Sequence, residues 1–193
     1  SPVLTGKDMP FTTIQLLWVN IIMDGPPALA LGLEPVRDYV LKRKPINRHS
    51  GIIARSMFVN IIINAILIIT IVFTQSAFNI LGATSEEQGT VIFSLFAFSA
   101  LFNALNCREF GLNSTIPNFF KNKLALQIIV VTGIIQIIFT QVFQSFFNSV
   151  SLDFDMWIKI ILFASTILLS NEFVKLILRT MKNSRTMNFN SKN

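Results

Sequence analysis

Residues 15–32 read QLLWVNIIMDGPPALALG and place Asn20 and Asp24 inside an otherwise apolar run, followed at once by Gly25, Pro26 and Pro27. A carboxylate and a helix breaker at one depth of a greasy segment need a physical reason. An ionisable residue at the centre of a bilayer costs roughly 2.5–3.5 kcal/mol on insertion scales, so such residues face a bundle interior and keep a partner. If the run is helical, positions 20, 23 and 24 share one face, and Asn20, Met23 and Asp24 are expected to point the same way. Neither proline has an N–H to give the carbonyl four residues back, which frees the oxygens of Ile22 and Met23 beside Asp24. Non-helical backbone at membrane depth is tolerated where it is buried in protein or lines a cavity, and interrupted helices of this kind hold ions in transporters.

The rest of the chain supports a membrane setting. Of 193 residues, 52% are hydrophobic, 19 are Phe and only 13% are charged, which is too apolar for an ordinary soluble domain. Helices of about 20 residues cross a bilayer core, and five apolar segments qualify, over roughly 11–33, 56–75, 90–107, 124–146 and 156–178. The expected fold is therefore all-α, a polytopic bundle of five transmembrane helices forming one domain over residues 1–182. Residues 183–193 form a polar tail, expected to be disordered and cytosolic. The chain starts at Ser1 without an initiating Met or a signal peptide, and is read as a piece of something longer.

Positive charge sets the orientation. Arg37, Lys42, Arg43, Lys44, Arg48 and Arg55 follow the first span, Arg108, Lys121 and Lys123 the third, and Lys175, Arg179, Lys182, Arg185 and Lys192 crowd the C-terminal end; SAFNILGATSEEQG and NSVSLDFD carry no Lys or Arg. The positive-inside rule puts the first three groups in the cytosol, so the first span runs inward and the C-terminus is cytosolic. Anionic lipid accounts for the net charge of +6 without a nucleic-acid partner.

No Lys or Arg lies at the depth of Asp24 in the other spans, so a cation is its natural partner. Amide, carboxylate and carbonyl oxygens suit a hard ion such as Ca²⁺, with Mn²⁺ second, better than Zn²⁺ or Cu⁺. The bland alternative is a kinked helix with a satisfied polar pair. Other residues have plainer readings: Cys107, the single cysteine, packs; His49 is solvated in a basic loop; Asn60, Asn64, Gln127 and Gln136 make interhelical hydrogen bonds. Glu172 pairs locally with Lys175 and Arg179, Trp157 sits in an interfacial aromatic belt, and Trp18 packs inside the bundle.

QLLWVNIIMDGPPALALGLEP, followed by RKPINRHSGII, closely resembles the sixth transmembrane helix and next cytosolic loop of calcium-transporting P-type ATPases, and FSLFAFSALFNALNCREFG resembles their eighth more weakly. The N-I-I-M-D-G-P-P wording is nearest to Golgi-type calcium/manganese pumps and their bacterial relatives, then to the plasma-membrane type. The resemblance implies that the five spans are the sixth to tenth of ten, that Asn20 and Asp24 are ion ligands, and that Gln15 matches a glutamine one turn further out. Met23 stands where two-site pumps have a threonine, and Ala100 where they have an acidic ligand, which implies a single ion per cycle. Asn103 is a weaker ligand candidate on the eighth helix.

The aspartyl-phosphate motif D-K-T-G is absent from the chain, so ATP and Mg²⁺ belong to cytosolic domains of the missing N-terminal half, the expected partner besides the lipid bilayer. The parent is then a translocase that exports Ca²⁺, and Asp24 is expected to carry protons back. A bacterial plasma membrane is the expected location. Two other classes remain open at this point: a channel or secondary transporter without ATP coupling, and a structural membrane subunit with a protonated Asp24.

Overall fold

The computed structural model describes residues 11–33, 55–107 and 123–190, and there it is helical with no strand. The basic stretches 34–54 and 108–122, with His49, lie outside the described residues. Five helices are long and apolar enough to cross a membrane: Thr13–Gly32, Met57–Phe78, Gln88–Asn106, Lys123–Val142 and Phe154–Ile177. They match the five expected segments to within a few residues at most ends. The fourth stops earlier than hydropathy suggests, because Phe143 leaves helical geometry (φ −102°, ψ 48°) before the short helix Gln144–Phe147, which ends on Asn148 in the left-handed region at φ 49°.

The last helix runs on to Asn190, so residues 183–190 are helical and not the disordered tail expected. Extending an existing helix is far easier than starting one, and this extension, although rich in the weak helix formers Asn, Ser and Thr, contains no Pro or Gly to stop it.

The third span is the hub and touches each of the other four. Over its most apolar stretch 61% of it is buried, against 11% for the second span, which faces outward on most sides. Its neighbour along most of its length is the fifth span. Ala97, Ser94 and Ala164 are fully enclosed, and such small residues let helix backbones approach where no hydrophobic driving force exists between helices in lipid. Phe93, Leu95, Leu101, Ile160 and Ile167 fill the remaining volume. Trp157 belongs to this core: it is 4% exposed and meets Phe98 edge-on at 6.2 Å, so the interfacial role expected for it does not hold. Gly133 on the fourth span allows Phe98 to come close; a Cβ there would lie 3.3 Å from the ring.

One end of the bundle is tied by side chains reaching across its loops. Gln15 Nε2 donates to the Phe147 carbonyl at 2.8 Å, the Val150 N–H donates to Thr90 Oγ1 at 2.9 Å, and Gln88 Nε2 donates to the Ser76 carbonyl at 3.3 Å. Gln141 holds Leu152 from both sides, its Nε2 donating to the carbonyl at 2.7 Å and its Oε1 accepting from the N–H at 3.0 Å. In the other loop Asn79, at φ 45°, accepts from the Ala83 N–H and from Gln75 Nε2 and donates to the Ala83 carbonyl. The loops at this end are thus parts of a hydrogen-bonded cap.

Candidate cation site

The first span is helical from end to end but changes type: α over Thr13–Trp18, π over Val19–Asp24, and α again over Gly25–Gly32. It opens with a capping box in which Thr12 and Gln15 each accept from the other's backbone N–H. The prolines do not unwind the chain as a broken helix would. They occupy the first positions of the second α segment, where a missing N–H is least costly. The distortion is displaced into the π turn before them.

The burial pattern shows why that turn is needed. Gln15, Val19, Met23 and Pro27 are buried at intervals of four, followed by Ala30. With 3.6 residues per α turn, each step of four overshoots by about 40°, so a strict α-helix would rotate the series off the core. A wider turn in the middle brings it back. Wide π turns recur at functional sites.

The same turn separates residues expected together. Asn20 and Asp24 stay on one face and are both exposed, whereas Met23 points into the core at 1% exposure. The expectation that all three point the same way fails, because the α-helical face assignment assumed a period that the π turn breaks. Asp24 makes no capping hydrogen bond. The face that carries Asn20 and Asp24 also exposes Ile21 and Leu17, and the spans of this chain pack against its opposite side. In a bilayer that face cannot be left to lipid, since a carboxylate there has no counter-charge.

The prolines add backbone acceptors beside this pair. Counted as α, they deprive the carbonyls of Ile22 and Met23 of donors; counted as π, those of Ile21 and Ile22. Ile22 is common to both counts. Among the described residues no three His, Cys, Asp or Glu gather; the polar atoms that this face offers are carboxylate, amide and carbonyl oxygens.

Gln15 is engaged elsewhere. It is 4% exposed, its Oε1 accepts from the Thr12 N–H at 2.9 Å, and its Nε2 is given to Phe147. One turn on, Trp18 Nε1 donates to Gln136 Oε1 at 2.7 Å, and Gln136 Nε2 donates to Thr140 Oγ1 at 3.1 Å. Trp18 does pack inside the bundle, with Phe139 at 4.7 Å and Phe147 at 5.1 Å. Gln136 meets its expected interhelical role, while Gln127 is exposed. Asn103 lines a separate cavity between the second, third and fifth spans, and among the described residues neither Asn20 nor Asp24 borders it. Ala100 is half-buried on the same helix.

Residues 8–177 match the family described as cation transporting ATPase, C-terminus. The chain belongs to that family. It is 33% identical over 174 residues to a probable calcium-transporting ATPase 6, plasma membrane-type, of Oryza sativa subsp. japonica, covering 87% of this chain and 17% of the relative. It is 32% identical over 164 residues to calcium-transporting ATPase 8, plasma membrane-type, of Arabidopsis thaliana (80% and 15%), and 33% over 165 residues to plasma membrane calcium-transporting ATPase 1 of Gallus gallus (79% and 14%). The chain therefore spans about one sixth of the length of these relatives, and it is a C-terminal membrane region of the calcium-transporting ATPase kind. These relatives are of the plasma-membrane type, the second of the two branches suggested by the wording of the first span.

Proposed function

We propose that the chain is the C-terminal membrane part of an ATP-driven pump that exports Ca²⁺ from the cytosol, and that Asn20 and Asp24, with the carbonyl oxygens of Ile22 and Met23, form one half of a single ion site. One observation carries this reading: a carboxylate and an amide, four residues apart beside a proline-disrupted turn, stand on a face left exposed among the described residues. Calcium takes six to eight oxygens, so the remaining ligands come from helices of the missing N-terminal half packed on this face. ATP and Mg²⁺ act in the cytosolic domains of that half.

A single ion is supported by Met23, whose side chain is enclosed in the core, and by Ala100, which brings no oxygen. Mn²⁺ shares the oxygen ligands and is proposed as a second substrate. The clustering of Lys and Arg supports a cytosolic C-terminus, and the plasma-membrane type of the relatives supports a plasma membrane, for which a bacterial one stays our proposal. When the site faces outward and releases its metal, Asp24 takes up the returning proton.

The test is ATP-dependent ⁴⁵Ca²⁺ uptake into inside-out vesicles holding the full-length parent. Asp24→Asn abolishes uptake and Ca²⁺-stimulated phosphoenzyme, and excess Mn²⁺ competes in the wild type. Uptake unchanged in the variant would show that Asp24 is a structural carboxylate.

A further inference from the structure

A half-open cleft of about 420 Å³ lies between the second, third and fifth spans, at the end of the bundle opposite the tied loops. Met57, Ile61, Ala65 and Ile68 form one wall of it. At steps of four, four and three they make a single stripe along the second span. The stripe is about 16 Å long at about 1.5 Å per residue, close to half of a hydrocarbon core of about 30 Å. The cleft is therefore one leaflet deep. Ile61 is 54% exposed, so this wall is open sideways to the membrane.

Asn64, Asn103 and Asn106 border the cleft without making it polar. Their Oδ1 atoms are enclosed and have no hydrogen-bond partner, so the interhelical bond expected of Asn64 is missing at its oxygen. Asn106 Nδ2 donates to the Ile167 carbonyl at 3.4 Å. The accessible lining is mostly apolar, and an apolar occupant suits it.

Cations gather at one end. Arg55 opens the second span two residues before Met57, Arg108 follows Cys107 in the chain, and Arg179 stands one turn beyond Lys175 on the fifth helix. Lys175 itself is 3% exposed and 3.6 Å from Glu172, which already answers its charge. No Asp or Glu follows Glu172 in the chain. An apolar slot one leaflet deep, basic at one end, complements an amphiphile with an apolar chain and an anionic head.

We propose that the cleft seats an acyl chain of an anionic phospholipid whose head group sits at the basic ends of the second and fifth spans. This seat is separate from the Asn20 and Asp24 face. That it belongs to the cytosolic leaflet rests on the orientation proposed above; that it selects an anionic lipid does not.

Photocrosslinking of the full-length pump in inside-out vesicles tests both parts. The probes are phosphatidylglycerol and phosphatidylcholine with the same acyl chain carrying a diazirine, each added to one leaflet at a time. Phosphatidylglycerol is expected to label Met57, Ile61, Ala65 and Ile68 at least about fivefold more than phosphatidylcholine does, since each cation near the surface is worth roughly that factor. Ile62 and Ile66, exposed on the opposite side of the same helix, are expected to take both probes alike. Arg55→Gln with Arg179→Gln should bring the two probes level in the cleft, and Ala65→Trp should block both there, with retained ATP-driven uptake showing that each variant folds. Equal labelling of the cleft by both probes in the wild type would overturn the proposal and leave bulk lipid as the occupant. Labelling of Ile62 and Ile66 alone would also overturn it, and mean that a helix of the missing half fills the space. Selective labelling from the cytosolic leaflet supports both parts. Selective labelling only from the other leaflet keeps the lipid seat and overturns the orientation.

Discussion

The two ends of the bundle treat polar side chains in opposite ways. At the tied end nearly every buried amide and hydroxyl finds a partner within the chain: Gln15 with Phe147, Trp18 with Gln136 and on to Thr140, Gln141 with Leu152, Gln75 with Asn79. Towards the other end, Asn64, Asn103 and Asn106 present bare oxygens, and Asn20 and Asp24 stand on an uncovered face. Three single atoms fall outside this division, Ser94 Oγ, Ser99 Oγ and Trp157 Nε1, and nothing in the structure explains them. Buried polar groups that close on themselves hold a shape. Those that stay open wait for something the chain does not contain, which is why the functional reading follows the open set and not the longer list of polar residues.

The largest effect should come from that open set. In the proposed site, Asn20→Ala takes one oxygen from the ion, and the apparent Ca²⁺ affinity of the parent is expected to fall on the order of 100-fold, about 2.7 kcal/mol, in the Ca²⁺ dependence of phosphoenzyme formation. Gln15→Leu is the contrasting case. It leaves the Phe147 carbonyl unpaired and should cost about 1–3 kcal/mol of stability while leaving Ca²⁺ affinity within a factor of about two. A large affinity loss in Gln15→Leu would erase the distinction between the two ends.

Next in size is Gln136→Leu, which strands Trp18 Nε1 and loses the bond to Thr140 Oγ1 together. A loss of about 1–3 kcal/mol, read as a lower melting temperature in detergent with unchanged ion affinity, is the expected result. Gly133→Ala tests apolar packing on the same helix. Its new Cβ meets Phe98 at 3.3 Å, a contact that Phe98 relieves by shifting slightly, for about 1 kcal/mol; Gly133→Leu exceeds what such a shift can absorb.

Much of this was legible in the sequence, for identifiable reasons. The five spans follow from hydropathy, because a bilayer imposes one length on every crossing helix. Asn20 and Asp24 are picked out by the rarity of charge and amide at that depth, and their shared exposed face, not their ligation of an ion, is what the structure adds. Met23 was misplaced because face assignment assumed a uniform 3.6 period, and the signal that could have corrected it, apolar or amide residues at 15, 19, 23 and 27, lay in the same stretch. The tied end was illegible for a different reason. Gln15 and Phe147 are 132 residues apart, and Trp18 and Gln136 118 apart, so no local pattern announces their pairing. Trp157 was assigned by its height along the span alone, whereas the Phe98 ring that covers it comes from another helix.

The smallest effect sharpens the comparison at the tied end itself. T-S-E-E at residues 84–87 is a capping box in which the Thr84 N–H and Oγ1 donate to Glu87 Oε2 at 2.9 and 2.8 Å, and the Glu87 N–H donates back to Thr84 Oγ1 at 3.3 Å. The backbone bond first, and the hydroxyl second, hold the Glu87 carboxyl below its ordinary 4.5. A depressed carboxylate contributes stability above its unfolded value that is lost as pH falls through its folded value. Amide exchange over residues 84–88 should therefore be slow and pH-independent in its protection above about pH 5, and should accelerate selectively in more acidic medium. Glu87 is half-exposed on the loop surface, so the change stays local to the start of the third span and leaves the Gln15 and Gln136 bonds intact. Glu87→Gln should remove the acid sensitivity while keeping part of the cap, since an amide oxygen still accepts from Thr84. Acid-induced loosening that instead spread to Phe147 and Val150 would show the two loops of the tied end to be one cooperative unit.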